Sequence, residues 1–363
     1  MVLDNTGRGG AQAYAMNVQR NIDRSVFRID FAVNRTPLNG YQEEILSLGS
    51  RILHIPKFKV FNWYTYSKAW NRLLEENDFD IVHGHVSSTA AIYLHIARKK
   101  NCVTIVHSHS AGYRGNCFAR SIKKIFTKYA KREADYWFSC SEKAAFRLFG
   151  YDYLNYPNYV EIPNAIIVEK YKFDRNTRQI LRSRMGVAED TLLVGHVGSF
   201  STPKNHPFLL RIFKSIKVRR TNVKFVLIGA GKLEMEIKDM VQRLGLSKEI
   251  IFTGSIGNVN EYMMALDVMV FPSLFEGFPV TIIEAQAAGL YTVFSDTITT
   301  QVNLTDFVVP MSLEDNESVW AEKALQKKMY DRRLGNEIIA KSEFNMKTSI
   351  KTLERLYMKM VKK

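Results

Sequence analysis

The sequence is poor in cysteine and has no long apolar run. Its three cysteines, Cys102, Cys117 and Cys140, form no CxxC pair. We therefore predict reduced thiols in a cytosolic protein, with neither a disulfide framework nor a zinc site. No window approaches the roughly 18–20 apolar residues of a membrane-spanning helix, and the first residues lack the pattern of a signal peptide. Any membrane contact is expected to be peripheral.

Acidic residues are also scarce relative to basic ones. The chain carries 51 Lys and Arg against 36 Asp and Glu, a net charge of +15 over 363 residues. This excess favours acidic partners, such as nucleic acid, anionic membrane or phosphorylated substrates. A nucleic-acid-binding module would show a combined aromatic and basic pattern, and the sequence has none, so we expect no nucleic-acid partner. The length suggests two domains.

Short apolar segments alternate with amphipathic ones, which predicts parallel sheets built from βαβ units. Strands are predicted at 27–33, 80–86, 102–109, 135–141, 160–165, 192–198, 224–231, 250–256, 268–273 and 291–296. Helices are predicted at 206–220, 232–246 and, at the C-terminus, 342–363. The polar stretch 167–191 is predicted to be a linker. Only three residues precede Asp4, so either the first strand is very short or the sequence starts downstream of the usual beginning.

The segment FPSLFEGFPVTIIEAQAAGL places Glu276 and Glu284 among apolar residues. A buried carboxylate is costly unless something pairs with it. Pro279 suits the first position of a helix, and Gly289 suits the position just past a helix end. We therefore predict a short helix over 280–288, with one glutamate in the loop before it and the other about one turn inside.

The start of this helix is a candidate anion site. Its free amides near Val280 and Thr281 would hold a diphosphate, while a carboxylate accepts hydrogen bonds from adjacent sugar hydroxyls. The pattern therefore fits a nucleotide sugar as ligand. The alternative is a structural helix whose glutamates cap it or form salt bridges.

The same segment resembles the signature of the family 4 retaining glycosyltransferases. Further segments resemble that family in the same order along the chain, namely GRGGAQ (7–12), HSHSAG (107–112), FSCSEKAAFRLFG (138–150), IPNAI (162–166), HVGSFSTPKNH (196–206), LIGAGKLEMEI (227–237) and FTGSIGNVNEYM (252–263). The last segments, including SDTITTQVN, are most similar to bacterial exopolysaccharide and capsule glycosyltransferases.

The resemblance implies an α/β protein of the GT-B fold, with two facing, doubly wound Rossmann-like domains. An N-terminal acceptor domain would span 1–166, and a nucleotide-sugar domain would span 192–345, after the linker at 167–191. The C-terminal helix, 346–363, would pack back on the N-terminal domain.

The resemblance also implies roles for individual residues. Glu284 would bind the ribose of the nucleotide and Glu276 the donor sugar. Lys204 would neutralise the diphosphate and stabilise the departing charge. The diphosphate would lie against the segment formed by Gly277, Phe278, Pro279, Val280 and Thr281.

The position after the glycine of HVGS differs from the pattern of the family. Ser199 stands where the family usually has an arginine, so one of two phosphate-facing cations is missing. Either another basic residue substitutes for it, or activity is weak.

Gly9 and Gly10 would let backbone amides approach a phosphate or an acceptor, unless they form only a tight turn.

A pair of histidines, His107 and His109, ends a predicted strand, where open α/β sheets place their ligand sites. The family has a histidine near here that contacts the donor sugar, and either residue could match it. His85 follows another predicted strand in a similar way.

The expected activity is therefore retaining, metal-independent transfer of a sugar from a UDP-linked donor to a glycan or a lipid-diphosphate-linked acceptor in surface polysaccharide synthesis. No cofactor or metal is expected. The basic amphipathic segment 120–138 would rest on the anionic inner face of the cell membrane, or simply pack on the core. Two alternatives stay open: a GT-B sugar-nucleotide epimerase, and a non-catalytic paralogue that binds membrane or a partner.

Overall fold

The computed structural model describes residues 1–7, 9–37, 40–109, 129–326 and 330–362, except the side chain of Val60. The chain forms two compact units. The first unit consists of residues 1–164 together with 346–363, and the second consists of residues 165–345. Each unit is built on its own parallel sheet.

The strands follow the order of the chain. In the first unit they are β1 (Val2–Leu3), β2 (Phe31–Val33), β3 (Ile52–His54), β4 (Ile81–Gly84), β5 (Val103–Ser108), β6 (Tyr136–Ser139) and β7 (Tyr159–Glu161). In the second unit they are β8 (Leu192–Val197), β9 (Val223–Ile228), β10 (Ile250–Gly254), β11 (Val268–Phe271), β12 (Tyr291–Ser295) and β13 (Val308–Met311). Most of their residues are buried on both faces, as expected for parallel strands covered by helices.

Helices connect these strands and cover both sheets. They are α1 (Gly10–Asn21), α2 (Gln42–Ser47), α3 (Trp63–Glu75), α4 (Ala90–Lys99), α5 (Glu142–Phe149), α6 (Arg175–Arg184), α7 (His206–Arg219), α8 (Glu234–Arg243), α9 (Val259–Ala265), α10 (Val280–Ala287), α11 (Glu317–Leu325), α12 (Arg333–Ala340) and α13 (Met346–Val361). Short 3₁₀ turns span Val60–Asn62, Ser87–Thr89, Tyr151–Asn155, Val168–Tyr171, Thr202–Lys204 and Thr300–Val302.

The strand orders show where each sheet changes direction. The first sheet has the order β3-β2-β1-β4-β5-β6-β7, and the second has the order β10-β9-β8-β11-β12-β13. Both are Rossmann-like, because consecutive strands run outward in one direction and then resume on the other side of the first strand. Ligands of such sheets bind where the order reverses, outside the carboxyl ends of the central strands. That point lies between β1 and β4 in the first unit, and between β8 and β11 in the second.

The stretch 167–191 is not a linker, so that prediction was wrong. It contains a 3₁₀ turn and helix α6, and it belongs to the second unit. Its apolar residues Val168, Leu181 and Val187 are at most 5% exposed and lie in the core of that unit. The polar composition of this stretch led to the wrong prediction, because helix α6 buries only a narrow face.

The sheet edges also differ from the prediction. Strands β3 and β13 were missed, since each is short and only partly buried. Strand β2 covers only the end of the predicted 27–33 segment. Apart from the two-residue strand β1, for which no range was predicted, the central strands β4–β6, β8, β9, β11 and β12 were predicted to within three residues at each end. A fully buried strand shows a continuous apolar run, which makes its ends visible in the sequence.

The C-terminal segment forms helix α13 in the first unit. Its Tyr357 hydroxyl lies 2.6 Å from His83 Nδ1, and the Glu354 carboxylate accepts a hydrogen bond from the amide of Asp23 at 2.8 Å. Of the predicted basic segment 120–138, residues 120–128 lie outside the described residues. In the described part of the chain, we find no helix with the length and apolar character needed to cross a bilayer.

Two of the cysteines are buried free thiols, Cys102 and Cys140. Burial raises the pKa of Cys140 to about 11, so this thiol stays protonated and unreactive at neutral pH. Cys117 lies outside the described residues.

Candidate functional site

The predicted site in the second unit lies at the point where its sheet reverses. The loop that follows β8 contains Ser199 and leads to Lys204, and the loop that follows β11 contains Glu276. These two strands are neighbours. Because parallel strands end at the same edge of a sheet, the fold brings together residues that are more than 70 positions apart.

The Lys204 and Glu276 side chains form an ion pair. Lys204 Nζ lies 2.7 Å from Glu276 Oε1, and both side chains are 15% exposed. The ammonium group also lies 4.5 Å from the centre of the Phe271 ring, whose negative face favours a cation. The loop passes close to the lysine stem, since a Cβ atom added at Gly198 would lie 3.1 Å from its Cδ and Cε atoms. The charge is therefore held in a defined and partly enclosed position.

Glu284 lies in helix α10, and its carboxylate has one hydrogen-bond partner among the described residues. The Tyr171 hydroxyl donates a hydrogen bond of 2.6 Å to Glu284 Oε1. Burial raises the pKa of Glu284, and the hydrogen bond from Tyr171 works against that shift. One carboxylate oxygen is thus oriented by the tyrosine, and the other can accept a hydrogen bond from a ligand.

Helix α10 begins and ends close to the predicted positions. It runs from Val280 to Ala287, and Gly289 follows with a φ of +59°. A Cβ atom at Gly289 would lie 2.0 Å from the carbonyl oxygen of Arg332, so both the backbone and the close approach require glycine there. Pro279 is the residue before the helix instead of its first residue.

The amides at the start of α10 are not all free. The Val280 amide donates to the carbonyl of Phe278 at 3.0 Å, and the Ile282 amide donates to the carbonyl of Pro279 at 2.9 Å. Thr281 has no amide partner among the described residues, so it remains the clearest anion-binding donor of the segment. Gly277 precedes the helix with open space where a Cβ atom would stand.

Ser199 is exposed. Its hydroxyl lies 2.9 Å from the Ser201 hydroxyl. The serine therefore brings a neutral polar group to this loop and no charge. The nearby LIGAG turn has a structural role. Gly229 has a φ of +142°, and a Cβ atom at this position would lie 2.0 Å from the carbonyl oxygen of Gly198. The turn therefore allows the β8 loop to pack closely.

In the first unit, the structure brings the predicted histidines together with a further one. His83 and His85 lie on and after β4, and His107 and His109 lie on and after β5. His85 Nδ1 lies 2.7 Å from His109 Nε2, and His83 Nε2 lies 3.1 Å from His107 Nδ1. His109 is the least buried of the four, so it is more available to a ligand than His107.

Sequence reasoning missed His83 and Tyr171. The signal for His83 was the repetition of His-x-His at the ends of two consecutive strands, HGH and HSH, because alternate residues of a strand point to the same face. Tyr171 carried no local signal. It lies 113 residues before Glu284, in a stretch that was predicted to be a linker.

Gly9 and Gly10 follow strand β1, at the switch point between β1 and β4 of the first sheet. Gly9 precedes α1 in an extended conformation, and Gly10 begins the helix with open space where a Cβ atom would stand. Neither has a positive φ. The backbone conformation therefore does not require glycine at Gly10. What the two residues provide is an exposed start of helix α1.

Family models match both halves of the chain. A model described as glycosyltransferase family 4 matches residues 8–170, and one described as glycosyl transferases group 1 matches residues 191–326. The EpsF protein of Bacillus subtilis, named as a glycosyltransferase, is 33% identical over 88% of this chain and 85% of its own length. The capsular polysaccharide biosynthesis glycosyltransferase CapH of Staphylococcus aureus is 22% identical over 98% of this chain and 97% of its own.

Solved structures show the same architecture. Anabaena HepE in complex with UDP superposes with a TM-score of 0.80 at 16% identity, covering 99% of each chain. The glycosyltransferase WaaG of lipopolysaccharide biosynthesis superposes with a TM-score of 0.67 at 15% identity, covering 99% of this chain and 94% of its own. The fold, the family models and the identity to EpsF agree with the resemblance of the motifs: the chain is a glycosyltransferase of family 4, with the two Rossmann-like domains of the GT-B fold.

Proposed function

We propose that the protein transfers a sugar, with retention at the anomeric carbon, from a UDP-linked donor to a glycan or lipid-diphosphate-linked acceptor in surface polysaccharide synthesis. The observation that carries this proposal is the arrangement in the second unit. A lysine–glutamate pair and a second, oriented carboxylate flank the start of α10 at the sheet's switch point. Cation, helix amide and carboxylates are the groups that a sugar diphosphate ester needs.

Each residue has a distinct part in this proposal. Glu284, held by Tyr171, accepts hydrogen bonds from the ribose hydroxyls. The Thr281 amide and Lys204 bind the diphosphate, and Lys204 balances the charge that grows on it as the glycosidic bond breaks. Glu276 accepts hydrogen bonds from the donor sugar. Because the lysine and the helix amides neutralise the diphosphate, we propose that transfer proceeds without a metal ion.

Retention follows in this proposal from front-face displacement. The acceptor hydroxyl attacks from the side on which the diphosphate leaves, and a phosphate oxygen takes the acceptor's proton. His109 is the residue of the first unit that we propose as the donor-sugar histidine, because His107 is almost completely buried.

Two relatives support the choice of donor and acceptor. An Escherichia coli enzyme named UDP-Gal:alpha-D-GlcNAc-diphosphoundecaprenol alpha-1,3-galactosyltransferase is 26% identical over 62% of this chain and 60% of its own length. Anabaena HepE has been solved with UDP-glucose, with a TM-score of 0.77 and 15% identity, over 99% of this chain and 98% of its own. We propose a UDP sugar and a membrane-bound acceptor accordingly, and the net charge of +15 favours work at the anionic inner face of the membrane.

Calorimetric titration with UDP and a panel of UDP sugars tests the donor site. We expect the wild-type protein to bind UDP, and the Glu284→Gln variant to bind it at least tenfold more weakly, a loss of about 1.4 kcal/mol. Glutamine keeps the size of the side chain and removes the charge that strengthens hydrogen bonds from ribose hydroxyls. The sugar that raises affinity above that of UDP identifies the donor.

The control is Glu322→Gln, the same change at an exposed glutamate of helix α11 in the same unit. It should bind UDP as the wild type does. Equal affinities of the Glu284→Gln variant and the wild type would overturn the role of Glu284. Folded wild-type protein that binds no nucleotide would overturn the proposed activity and support a non-catalytic paralogue. Conversion of the donor to another sugar without an acceptor would support an epimerase.

A separate prediction concerns the effect of Ser199 on the rate of sugar transfer. Its side chain is exposed, and its hydroxyl contacts the Ser201 hydroxyl of the same loop, so a longer side chain fits there without disturbing the core. We expect Ser199→Arg to raise the transfer rate about tenfold, because a guanidinium adds a charge-assisted hydrogen bond to the diphosphate. UDP release measured with the donor found by calorimetry gives this rate. Ser199→Gln, which adds length without charge, should leave the rate unchanged, and a rate of the arginine variant equal to that of the glutamine variant would contradict the prediction.

A further inference from the structure

We propose that the first unit binds one divalent transition-metal ion, of which Zn²⁺ is the reference case, through His83, His85 and His107. One ring nitrogen from each lies within 4.8 Å of the others, and all three side chains are buried. The three ligands lie in the first unit, and the test below does not depend on the sugar transfer proposed above. The cysteine pattern gave no indication of it, since its ligands are all histidines brought together by two neighbouring strands.

The backbone places the three imidazoles side by side. Strands β4 and β5 run parallel, with Gly84 paired to Val106 at the end of the ladder. The next residue on each strand is a histidine, His85 and His107. His83 precedes its glycine by one residue and points to the same face as His85, because side chains alternate along a strand. The ligands therefore come from a rigid part of the sheet.

The distances suit imidazole ligands of one ion. His83 Nε2 and His107 Nδ1 are 3.1 Å apart. Two nitrogens bound tetrahedrally to zinc at its usual bond length are about 3.3 Å apart. The two nitrogens share a hydrogen bond in this structure, and a bound ion would take the place of that contact at a similar nitrogen–nitrogen separation.

Two of the ligands already have their second ring nitrogen held. The Tyr357 hydroxyl lies 2.6 Å from His83 Nδ1, and His109 Nε2 lies 2.7 Å from His85 Nδ1. Metal-binding histidines commonly have such a partner on the other nitrogen, which fixes the tautomer and the ring orientation. His83 Nε2 faces His107 Nδ1, and His85 Nε2 has no hydrogen-bond partner among the described residues.

Several buried polar atoms of this cluster have no hydrogen-bond partner among the described residues. They include His85 Nε2, His107 Nε2 and the Tyr14 hydroxyl. The Tyr14 ring lies against three of the histidine rings, at centroid distances of 4.9 to 5.7 Å. A buried polar group without a partner costs free energy. An ion held by His83, His85 and His107 would give His85 Nε2 the partner that it lacks.

The set of donor atoms indicates which metals fit. Three imidazole nitrogens select zinc, copper, nickel or cobalt over magnesium and calcium, which prefer oxygen ligands.

Metal analysis of the full-length, untagged chain tests the proposal. The protein is stripped with a chelator, dialysed against ZnCl₂, and analysed for zinc per chain, and Co²⁺ is titrated to record its visible absorption. We expect about one equivalent of zinc with a dissociation constant at or below about 1 µM, and the intense absorption of tetrahedral cobalt. The double variant His85→Gln/His107→Gln should bind at least 100-fold more weakly, and Tyr357→Phe, which keeps all three ligands, about tenfold more weakly.

The matched controls are His54→Gln, an exposed histidine of the first unit, and His206→Gln, a buried histidine of the second. Both should keep the zinc stoichiometry of the wild type. Wild-type protein that takes up no zinc and gives no tetrahedral cobalt spectrum would overturn the proposal without reference to any variant. So would a double variant that stays folded and binds zinc as the controls do.

Discussion

Replacing Lys204 with methionine is expected to slow sugar transfer at least 100-fold while the protein stays folded. Methionine keeps much of the stem of the side chain and removes the charge. In the structure the ammonium lies 2.7 Å from Glu276 and 4.5 Å from the ring centre of Phe271, and the side chain is 15% exposed. A charge fixed in such a partly enclosed position stabilises the leaving diphosphate more than a solvated one would. Loss of one group of this kind typically costs about 2.7–4 kcal/mol of transition-state stabilisation.

The rate is measured as UDP release from the donor identified by calorimetry, with kcat and KM determined separately. A role in the departing charge predicts that kcat falls more than KM rises. Lys214→Met is the control, because Lys214 is an exposed lysine of α7 whose ammonium donates to the backbone carbonyl of Leu244 at 2.9 Å. A Lys204→Met variant with more than a third of the wild-type kcat would show that the lysine does not act on the diphosphate.

Replacing Asp267 with alanine is expected to destabilise the second unit by about 3–5 kcal/mol, because it leaves a buried charge without its partner. One carboxylate oxygen of Asp267 accepts from Arg178 at 2.8 Å. The other accepts from Arg182 at 3.1 Å and from the Leu193 amide at 2.9 Å. The Arg182 side chain is only 3% exposed, and its burial already lowers its pKa. The aspartate thus joins α6 to the start of β8.

Urea-induced unfolding measures this loss, followed by a signal from the second unit so that its transition is resolved. The control is Asp331→Ala, which removes another aspartate–arginine pair of the same unit. Asp331 lies 2.7 Å from Arg333, but the two side chains are 45% and 66% exposed. Solvent screens such a pair, so its removal should cost much less stability than the loss of Asp267. Equal losses in the two variants would show that burial does not decide the strength of the Asp267 cluster.

The same cluster shows why the linker prediction failed. Polar and charged residues dominate the sequence of α6, and a polar stretch between two sets of strands is typical of a linker. Arg178 and Arg182 instead point inward, where they meet Asp267 and the backbone carbonyls at the end of α9. Composition cannot distinguish an exposed arginine from one whose charge is paired inside the fold, because the partner lies 85 residues away.

The elements that carry the proposed donor site were predictable, because their signals are local. The helix over Val280–Ala287 is marked by a proline before it and a glycine after it, and both act through the backbone conformation of their own position. The buried central strands are continuous apolar runs. Together they predict two parallel sheets, and the rule that parallel strands end at one edge predicts roughly where the ligand lies.

The sequence by itself determined the fold class, the family and the segments that hold Lys204, Glu276 and Glu284, since these depend on periodicity, turn residues and short motifs. Only the tertiary structure decided what those side chains touch. It paired Lys204 with Glu276, oriented Glu284 with Tyr171, and brought the histidines of two strands into one buried cluster. The physical reason is that hydrogen bonds and ion pairs act over about 3 Å in space, whereas these partners are separated by 24 to 113 residues of chain.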